Sequence, residues 1–405
     1  MTLKDQTAVV GVGATPYYKR GQSVPQTELE MACKAILAGL DDAGLTIKDL
    51  DGFAIYSNSC DPAYVAAALG VPEVRFAASL TSGGGGAAGS LGLAAAAITS
   101  GQATVCVSLM TLQQANKRLG GSAVNGASMY GATSGGASPY GAASIKPSAA
   151  FTASSGLISP GHSFSILTQR HMHLYGTKRE HFAEVAISQR ANAIRRPMSM
   201  QKSPLTLDDY FNARMISDPL CLFDYTQEND GAIAVITTSA DRAKDLKQPP
   251  VYIMGSANGG AGRWGPAIFQ YFQAPDEYFA SSGHRPVAKR MYDMAGITPD
   301  DVDVALLYDH FSPLVLMQLE DYGFCGIGES GPFVAEGNIR WGTGKIPVNT
   351  HGGNLSDAYI IGMTHVREAV DQLRGTAINQ VEGAEIALCT GGPASLPVSG
   401  TLLRR

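Results

Sequence analysis

Apolar and polar positions follow one another along the first part of the chain in a pattern that predicts alternating strands and helices. An apolar strand covers residues 7–13, and a helix capped by Thr27 runs to Ala43, where Gly44 ends it. The residues expected on the apolar face of that helix are Leu29, Ala32, Cys33, Ile36, Leu37 and Leu40. Strands over 50–56 and 104–109 flank a turn and an apolar helix over 82–100. This order predicts a mostly parallel sheet.

The second half of the chain repeats this order in outline. Strands are predicted over residues 232–237, 251–254, 304–308 and 386–389. Helical segments are predicted over 166–198 and 284–295, and a loop followed by a helix over 351–375. Each half has a strand that leads into a glycine loop and a helix, at 82–100 and at 352–375. We interpret these two elements as candidates for a two-fold relation.

A long stretch between the halves, residues 116–165, is rich in Gly, Ser and Ala and is only weakly patterned. Such a stretch is either disordered or a functional loop region. Because tyrosines and phenylalanines are interspersed in it, we favour a loop subdomain that packs over an active site. The aromatic segment from Trp264 to Tyr278 is a second candidate for contact with a substrate or partner.

Composition narrows the class of protein. The chain has 405 residues, 45% hydrophobic and 16% charged, which suffices for two or more units with a large core. Its net charge of −5 gives no electrostatic reason to expect nucleic acid or an anionic membrane as partner. Six scattered cysteines without a CxxC pair argue against a zinc site. We see neither a signal-peptide pattern nor an apolar run that could span a bilayer, and expect a cytoplasmic protein.

Three loops carry the candidate chemistry. Residues 349–359 read NTHGGNLSDAY, residues 308–311 read YDHF, and residues 81–86 read TSGGGG. The first ends in Tyr359 and the second begins with Tyr308, directly after a predicted strand. The third precedes a very apolar helix and contains no cysteine. The 47 glycines in the chain allow close approach of backbones, as in a layered core or a backbone-lined active site.

With these loops the chain resembles the thiolase superfamily, in its sterol-carrier-protein thiolase branch, over nearly its whole length. The family's first glycine turn is similar to residues 10–15, its central dimer-forming motif to 229–232, and its last loop to 389–391. Counted on these motifs, the cysteine nucleophile of a thiolase falls near Gly84, and two active-site histidines fall on Tyr308 and Tyr359. Only Cys389, at the place of the acid/base cysteine, remains. Acyl transfer through a thioester on the enzyme is therefore not expected.

This set of departures resembles the thiolase-like aldolases of bacterial steroid side-chain degradation, often named lipid-transfer proteins. The resemblance implies an α/β thiolase fold: two pseudo-symmetric βαβαβαββ halves in five layers, α/β/α/β/α, with an inserted loop subdomain. We assign residues 1–115 to the N-terminal half, 116–165 to the loop subdomain, 166–240 to a helical segment that completes this half, and 241–405 to the C-terminal half. The resemblance also implies a homodimer. Together with a small partner protein that has an OB-fold and a zinc ribbon, this homodimer would form a heterotetramer.

The same resemblance implies retro-aldol cleavage of a bulky β-hydroxyacyl-CoA, with a steroid or bile-acid side chain or an aromatic acyl group. This reaction needs a base for the β-hydroxyl and a stabiliser for the enolate, but no covalent nucleophile and no cofactor in this chain beyond the CoA of the substrate. We expect Tyr308 and Tyr359 to act as a pair, one removing the hydroxyl proton and the other relaying a proton or donating to an oxygen. A tyrosine can be the base if neighbouring donors or cations favour phenolate.

Further residues receive supporting roles in this hypothesis. His310 or Asp309 would orient a tyrosine, and Cys389 would protonate the enolate carbon. Backbone N–H groups would form an oxyanion hole, and the candidates for oxyanion or substrate binding are Gly84, Gly85, His351, Gly352, Gly353, Gly391 and Gly392. Two alternatives stand beside this one: a non-catalytic acyl-CoA or lipid-binding subunit, and an acyltransferase or thiolase that uses Cys389 or Ser82. Without the resemblance to this family, these tyrosine, cysteine and histidine side chains would be interpreted as buried residues that only pack in the core.

Overall fold

The computed structural model describes residues 3–56, 60–80, 84–115, 154–157, 159–260, 279–394 and 397–405. The loop subdomain expected at 116–165 lies largely outside these residues, and so do Ser82 and the 264–278 segment. Among the described residues, no helix is both long and apolar enough to cross a membrane. In the same ranges, no group of three His, Cys, Asp or Glu side chains could hold a metal ion.

The first half of the chain forms a mixed sheet of five strands. These are β1 (Thr7–Ala14), β3 (Gly52–Tyr56), β4 (Phe76–Leu80), β5 (Val105–Leu112) and β8 (Asn229–Ser239). Strands β4, β3 and β5 run parallel to one another, and β8 and β1 follow them antiparallel. Residues 7–11 of β1 and all residues of β5 are buried.

The second half builds the same pattern from four strands. These are β9 (Val251–Gly259), β10 (Val304–Leu306), β11 (Ile386–Gly391) and β12 (Val398–Arg404). Strand β10 is parallel to β11, and β12 and β9 follow antiparallel. Ala305 also forms a parallel bridge with Val348, at the position that β4 holds in the first half. Two short pairings, Ala8 with Tyr252 and Val9 with Val251, join β1 to β9 and make one continuous sheet.

Helices cover the two halves of this sheet and lie between them, as the expected layers require. Helix α3 (Gly86–Thr99) contacts β3 and β5 but also β9 and β12, and the later helix Met363–Arg374, α11 in our numbering, contacts strands of both halves. These two helices form the middle layer. Helix α1 (Glu28–Ala43) covers β1 and β8 from outside, and α8 (Arg285–Ala295) covers β9 and β12. The prediction of two pseudo-symmetric halves in the thiolase arrangement is confirmed.

The remaining elements connect this frame. The helices are α2 (Pro62–Leu69), α4 (Pro160–Tyr175), α5 (Arg179–Ala193), α6 (Leu207–Phe211), α7 (Ala240–Ala243), α9 (Pro313–Asp321) and α10 (Ser330–Ala335). The short strands are β2 (Tyr18–Lys19), β6 (Met215–Ser217) and β7 (Leu220–Cys221), and a π-helical turn covers Gly353–Asp357.

Three expectations from the sequence are wrong in detail. The sheet is not mostly parallel, because parallel pairs occur only at its two ends and all the central pairs are antiparallel. The helix predicted over 166–198 is two helices that meet at Gly176, which adopts a left-handed conformation with φ of 67°. Helix α1 has the predicted caps, Thr27 and Gly44, but Leu37 is exposed. Small residues such as Ala35 and Gly39 take the buried face instead, because β1 approaches very closely: a Cβ at Gly13 would lie 2.1 Å from the Ala35 carbonyl oxygen.

Candidate active site

The two tyrosines singled out in the sequence meet in space. Tyr308 follows β10, and Tyr359 follows the π-helical turn that precedes α11. Their hydroxyl oxygens are 3.0 Å apart, within hydrogen-bond distance, and their rings are nearly perpendicular at 80°. Tyr308 is buried, whereas Tyr359 is half-buried. Tyr359 is thus the more accessible residue of the pair.

Glycine at position 84 makes room for the Tyr308 hydroxyl. Gly84 has a φ of 98°, and a Cβ atom added there would lie 2.9 Å from the Tyr308 hydroxyl oxygen. Gly362, with a φ of 82°, would likewise bring a Cβ within 2.6 Å of the Tyr308 ring. A side chain at position 84 and a phenol at 308 therefore exclude each other.

The tyrosine hydroxyls lie at the N-terminus of a buried helix. Gly84 and Gly85 immediately precede α3, whose N-cap is Gly85. The loop of Gly391 and Gly392 packs against them, because a Cβ at Gly392 would lie 2.5 Å from the Gly85 nitrogen. Two of the predicted oxyanion-binding loops thus come together beside Tyr308. A helix N-terminus favours negative charge nearby.

Burial raises the pKa of both phenols. It is the largest cause for Tyr308, whose pKa lies well above its ordinary value and is raised further by Tyr359. The pKa of Tyr359 is raised by burial too, but the hydrogen bond with Tyr308 lowers it in part. Among the described residues, no lysine or arginine donates a hydrogen bond to either hydroxyl. Burial thus favours two neutral phenols, and the condition set in the sequence analysis for a phenolate, a neighbouring cation, is not met by a lysine or arginine hydrogen bond in the described ranges.

Asp309 connects the two tyrosine-bearing segments. Its buried carboxylate accepts hydrogen bonds from the backbone N–H groups of Asn354 at 2.9 Å and Leu355 at 3.1 Å, in the π-helical turn before Tyr359. His365 Nε2, on α11, lies 3.0 Å from the same carboxylate. Gly353 is needed here, since a Cβ would lie 2.2 Å from the Asp309 carboxylate. Gly352 similarly packs against Ala193 of α5.

The predicted histidines are buried. The His310 ring is edge-on to Tyr308 at 5.3 Å between centroids and to Phe164 at 4.5 Å, and burial lowers its pKa to about 3. His351 is completely buried, edge-on to His365 at 4.7 Å, and burial lowers its pKa far below the ordinary value. Within the described ranges, the ring nitrogens of His310 and His351 have no hydrogen-bond partner. Both are therefore neutral imidazoles.

Cys389 lies in the interior of the sheet, on β11. It is completely buried, and its sulfur lies 3.7 Å from the His365 carbonyl oxygen, the one hydrogen-bond contact found for it among the described residues. Burial raises the pKa of the thiol, which keeps it protonated. A neutral buried thiol is a poor nucleophile, so this environment offers little support to the acyltransferase alternative.

The sequence analysis missed several residues at this site. Tyr56, at the carboxyl end of β3, accepts a hydrogen bond from the Gly84 N–H at 3.3 Å. His284 is buried beside the last glycine loop, with Nε2 3.2 Å from the Gly391 carbonyl oxygen. Gln318 and Asn229 contact the backbones of Tyr308 and Tyr359. The convergence of parallel strand ends is the signal that could have found Tyr56, and a single Gln in the apolar run 314–319 is the signal for Gln318.

Comparison with known proteins shows the family of the chain. The chain is 37% identical to 17-hydroxy-3-oxo-4-pregnene-20-carboxyl-CoA lyase of Mycobacterium tuberculosis, over 99% of this chain and 100% of the relative. It is also 37% identical to a steroid side-chain-cleaving aldolase of Thermomonospora curvata, over 99% of this chain and 98% of that protein. The chain belongs to the thiolase-like aldolase family. A family profile described as thiolase C-terminal domain-like matches residues 269–402.

Solved structures extend the comparison of this thiolase-like aldolase. The structure of the Ltp2-ChsH2(DUF35) aldolase superposes with a TM-score of 0.87 at 35% identity, covering 100% of this chain and 99% of that one. Human mitochondrial 3-ketoacyl-CoA thiolase superposes with a TM-score of 0.69 at 15% identity, over 100% and 99% of the two chains. The second likeness shows the shared fold alone. The aldolase family accordingly carries carbon–carbon lyase chemistry on a thiolase frame.

Proposed function

We propose that the protein cleaves a bulky β-hydroxyacyl-CoA by a retro-aldol reaction in which Tyr308 and Tyr359 move the proton. The products are a ketone or aldehyde and a shorter acyl-CoA. The observation that carries the proposal is the 3.0 Å contact between the two hydroxyls, in the space that Gly84 leaves free. The full-length identity of 37% to two carbon–carbon cleaving relatives supports the reaction class.

The contact between the two hydroxyls supports a relay between neutral phenols. In this relay Tyr308 donates to Tyr359, so that the Tyr308 oxygen accepts a proton and the Tyr359 O–H gives one. The β-hydroxyl proton of the substrate passes to Tyr308, the Tyr308 proton passes to Tyr359, and the Tyr359 proton passes to the α-carbon. The Cα–Cβ bond breaks as the β-oxygen becomes a carbonyl. No phenolate is needed, which agrees with the raised pKa of both side chains.

Enolate stabilisation is assigned to the helix N-terminus. As the Cα–Cβ bond breaks, negative charge develops on the thioester oxygen. The backbone at Gly84 and Gly85 lies at the start of α3, and the Gly391–Gly392 loop packs against it. Preorganised N–H groups in a water-excluded site stabilise such an oxyanion strongly. Burial keeps Cys389, His310 and His351 uncharged, so none of the three supplies a charge to the enolate in this proposal.

The acyl group is a steroid or bile-acid side chain in this proposal, because the relatives of Mycobacterium tuberculosis and Thermomonospora curvata are named for steroid substrates. We further propose that the protein is a cytoplasmic homodimer. It binds a small partner protein that has an OB-fold and a zinc ribbon, and zinc is bound only by that partner. The related solved structure, the Ltp2-ChsH2(DUF35) aldolase, carries the names of two components, which supports a two-component assembly.

The test is direct turnover. The full chain is incubated, alone and with a partner subunit, with a steroid β-hydroxyacyl-CoA, and the CoA esters and the ketone are separated by liquid chromatography and mass spectrometry. We expect stoichiometric shorter acyl-CoA and ketone, and no acyl adduct on the protein. Binding of the CoA ester without cleavage would favour a non-catalytic binding subunit. A covalent adduct on Cys389 or Ser82 would favour an acyltransferase.

A further inference from the structure

A closed ring of hydrogen bonds holds the peptide groups of Tyr308. The Tyr308 N–H donates to Thr390 Oγ1 at 2.8 Å, and the Thr390 hydroxyl donates to Gln318 Oε1 at 2.5 Å. The amide Nε2 of Gln318 then donates to the Tyr308 carbonyl oxygen at 2.8 Å. Gln318 is completely buried on α9, and its second N–H donates to the Leu314 carbonyl oxygen at 2.8 Å. Every polar group of this side chain is therefore in use.

A second buried amide holds Tyr359 in the same manner. The Tyr359 N–H donates to Asn229 Oδ1 at 2.7 Å, and Asn229 Nδ2 lies 3.4 Å from the Tyr359 carbonyl oxygen. Asn229 is completely buried at the start of β8, on a different element from every glycine loop of the site. Each tyrosine thus has both its N–H and its C=O bound to side chains of other elements.

Holding both backbone groups of one residue fixes the rotation of its peptide units, and that rotation aims the Cα–Cβ bond. A proton relay across 3.0 Å depends on this aim, because a displacement of about 1 Å can lower a rate about 100-fold. The hydrogen bonds of a buried amide are also stable, since an unsatisfied buried donor or acceptor costs roughly 1–3 kcal/mol.

We propose that Gln318 and Asn229 are positioning residues, which hold the backbones of Tyr308 and Tyr359 so that the two hydroxyls stay within hydrogen-bond distance. Thr390 acts with Gln318 as the link to Tyr308. The inference rests on the proposed function for its consequence in catalysis, but its geometric content is independent of any substrate.

The test uses the full chain with its partner subunit and a set of near-isosteric variants. Gln318→Met, Thr390→Val and Asn229→Leu remove the hydrogen bonds, whereas Thr390→Ser and Asn229→Asp keep the group that accepts the tyrosine N–H. Gln380→Met is the matched control, because Gln380 Nε2 also donates to two carbonyl oxygens, of Gln372 at 2.9 Å and Val381 at 3.0 Å. For each variant, kcat and KM are measured, and the crystal structure gives the distance between the tyrosine hydroxyls.

We expect kcat of the first three variants to fall about 100-fold while KM stays within about threefold. Thr390→Ser and Gln380→Met keep the wild-type kcat, and Asn229→Asp lies between the extremes. In Gln318→Met the hydroxyl oxygens separate beyond about 3.5 Å. If Gln318→Met does not fold, Thr390→Val and Asn229→Leu decide.

Three results would overturn the inference: an unchanged kcat in Thr390→Val and Asn229→Leu, an equal loss in Gln380→Met, or an unchanged hydroxyl distance in the crystals. An inactive wild-type protein contradicts the proposed function instead, and the hydroxyl distance then decides the inference by itself.

Discussion

At the scale of single residues, the site depends on a glycine that leaves room for the Tyr308 phenol. The space at the N-terminus of α3 admits either a side chain at position 84 or the Tyr308 phenol, because an added Cβ would lie 2.9 Å from the hydroxyl oxygen. Glycine also suits the φ of 98° at this position. Gly84 is thus a packing requirement of Tyr308, besides its predicted role in binding an oxyanion.

Gly84→Ala tests this exchange. We expect the free energy of unfolding to fall by about 1–3 kcal/mol, from the strained backbone and the contact with Tyr308. The loss should be smaller in a Tyr308→Phe background, because the hydroxyl that the new methyl group meets is gone. Chemical denaturation of the two single variants and the double variant measures the difference. Equal losses in both backgrounds would show that the methyl group does not meet the Tyr308 hydroxyl.

At the scale of elements, Asp309 joins the end of β10 to the turn before Tyr359. Its carboxylate accepts two backbone N–H groups and lies 3.0 Å from His365 Nε2 on α11. The sequence suggested that Asp309 orients a tyrosine, and the contacts support that role through the turn rather than through a tyrosine hydroxyl.

Asp309→Asn should weaken the contact between the end of β10 and the turn before Tyr359. The new amide brings N–H donors toward the N–H groups of Asn354 and Leu355, so we expect a loss of about 2–3 kcal/mol in the free energy of unfolding. Turnover should also fall, because the position of Tyr359 depends on the turn. Calorimetry and steady-state kinetics measure the two effects. Wild-type stability would mean that Asp309 does not carry the turn.

The middle-layer helix α11 contains a carboxyl group whose pKa is raised above its ordinary value. Burial is the largest cause that raises the pKa of Asp371, to about 6, with Arg367 acting in the opposite direction. A carboxyl group with a raised folded-state pKa favours folding while it is protonated. Its contribution is complete below about pH 4 and is lost as the pH rises through about 6.

Asp371→Asn should therefore gain stability relative to wild type as the pH rises from about 4 to about 7. The relative gain should not exceed about 2 kcal/mol, since the side chain is partly solvated. Urea denaturation across this pH range measures the difference. The exposed Asp293→Asn, which loses an ion pair with Lys289, is the control and should show no such trend. A gain in the stability of Asp371→Asn relative to wild type at low pH would contradict the expected pH dependence.

Local signals made some of these elements predictable. Both caps of α1, Thr27 and Gly44, lie where the sequence put them, because capping depends on neighbours in the chain. The mixed sheet was not predictable in this way, since β8 and β12 obtain their neighbours from distant segments. The meeting of Tyr308 and Tyr359 followed from motif resemblance. Asn229 was missed as a contact of Tyr359 because 130 residues separate them.

At the scale of the whole molecule, the edge strand β4 is relevant to the proposed homodimer. Strand β4 pairs with β3 on one side, and its residues alternate between half-buried and exposed. Among the described residues, no strand pairs with its other edge. An uncharged edge strand of this kind pairs readily with another strand, which supports the proposed homodimer.

Ala77→Lys on β4 should weaken the dimer, because a charge on the edge opposes pairing of strands. Sedimentation equilibrium should show a lower association constant than for wild type. Ala38→Lys, at an exposed position on α1, is the control and should leave the association unchanged. An unchanged dimer in Ala77→Lys would place the interface elsewhere.

The proposed reaction depends on two neutral phenols that transfer a proton without a covalent intermediate. The most direct measurement compares the turnover of a β-hydroxyacyl-CoA by wild type, Tyr308→Phe, Tyr359→Phe and the exposed control Tyr64→Phe, all with the partner subunit present. We predict that each of the first two variants loses at least about 100-fold in kcat, while Tyr64→Phe equals wild type. Wild-type turnover by Tyr308→Phe or Tyr359→Phe would contradict the account.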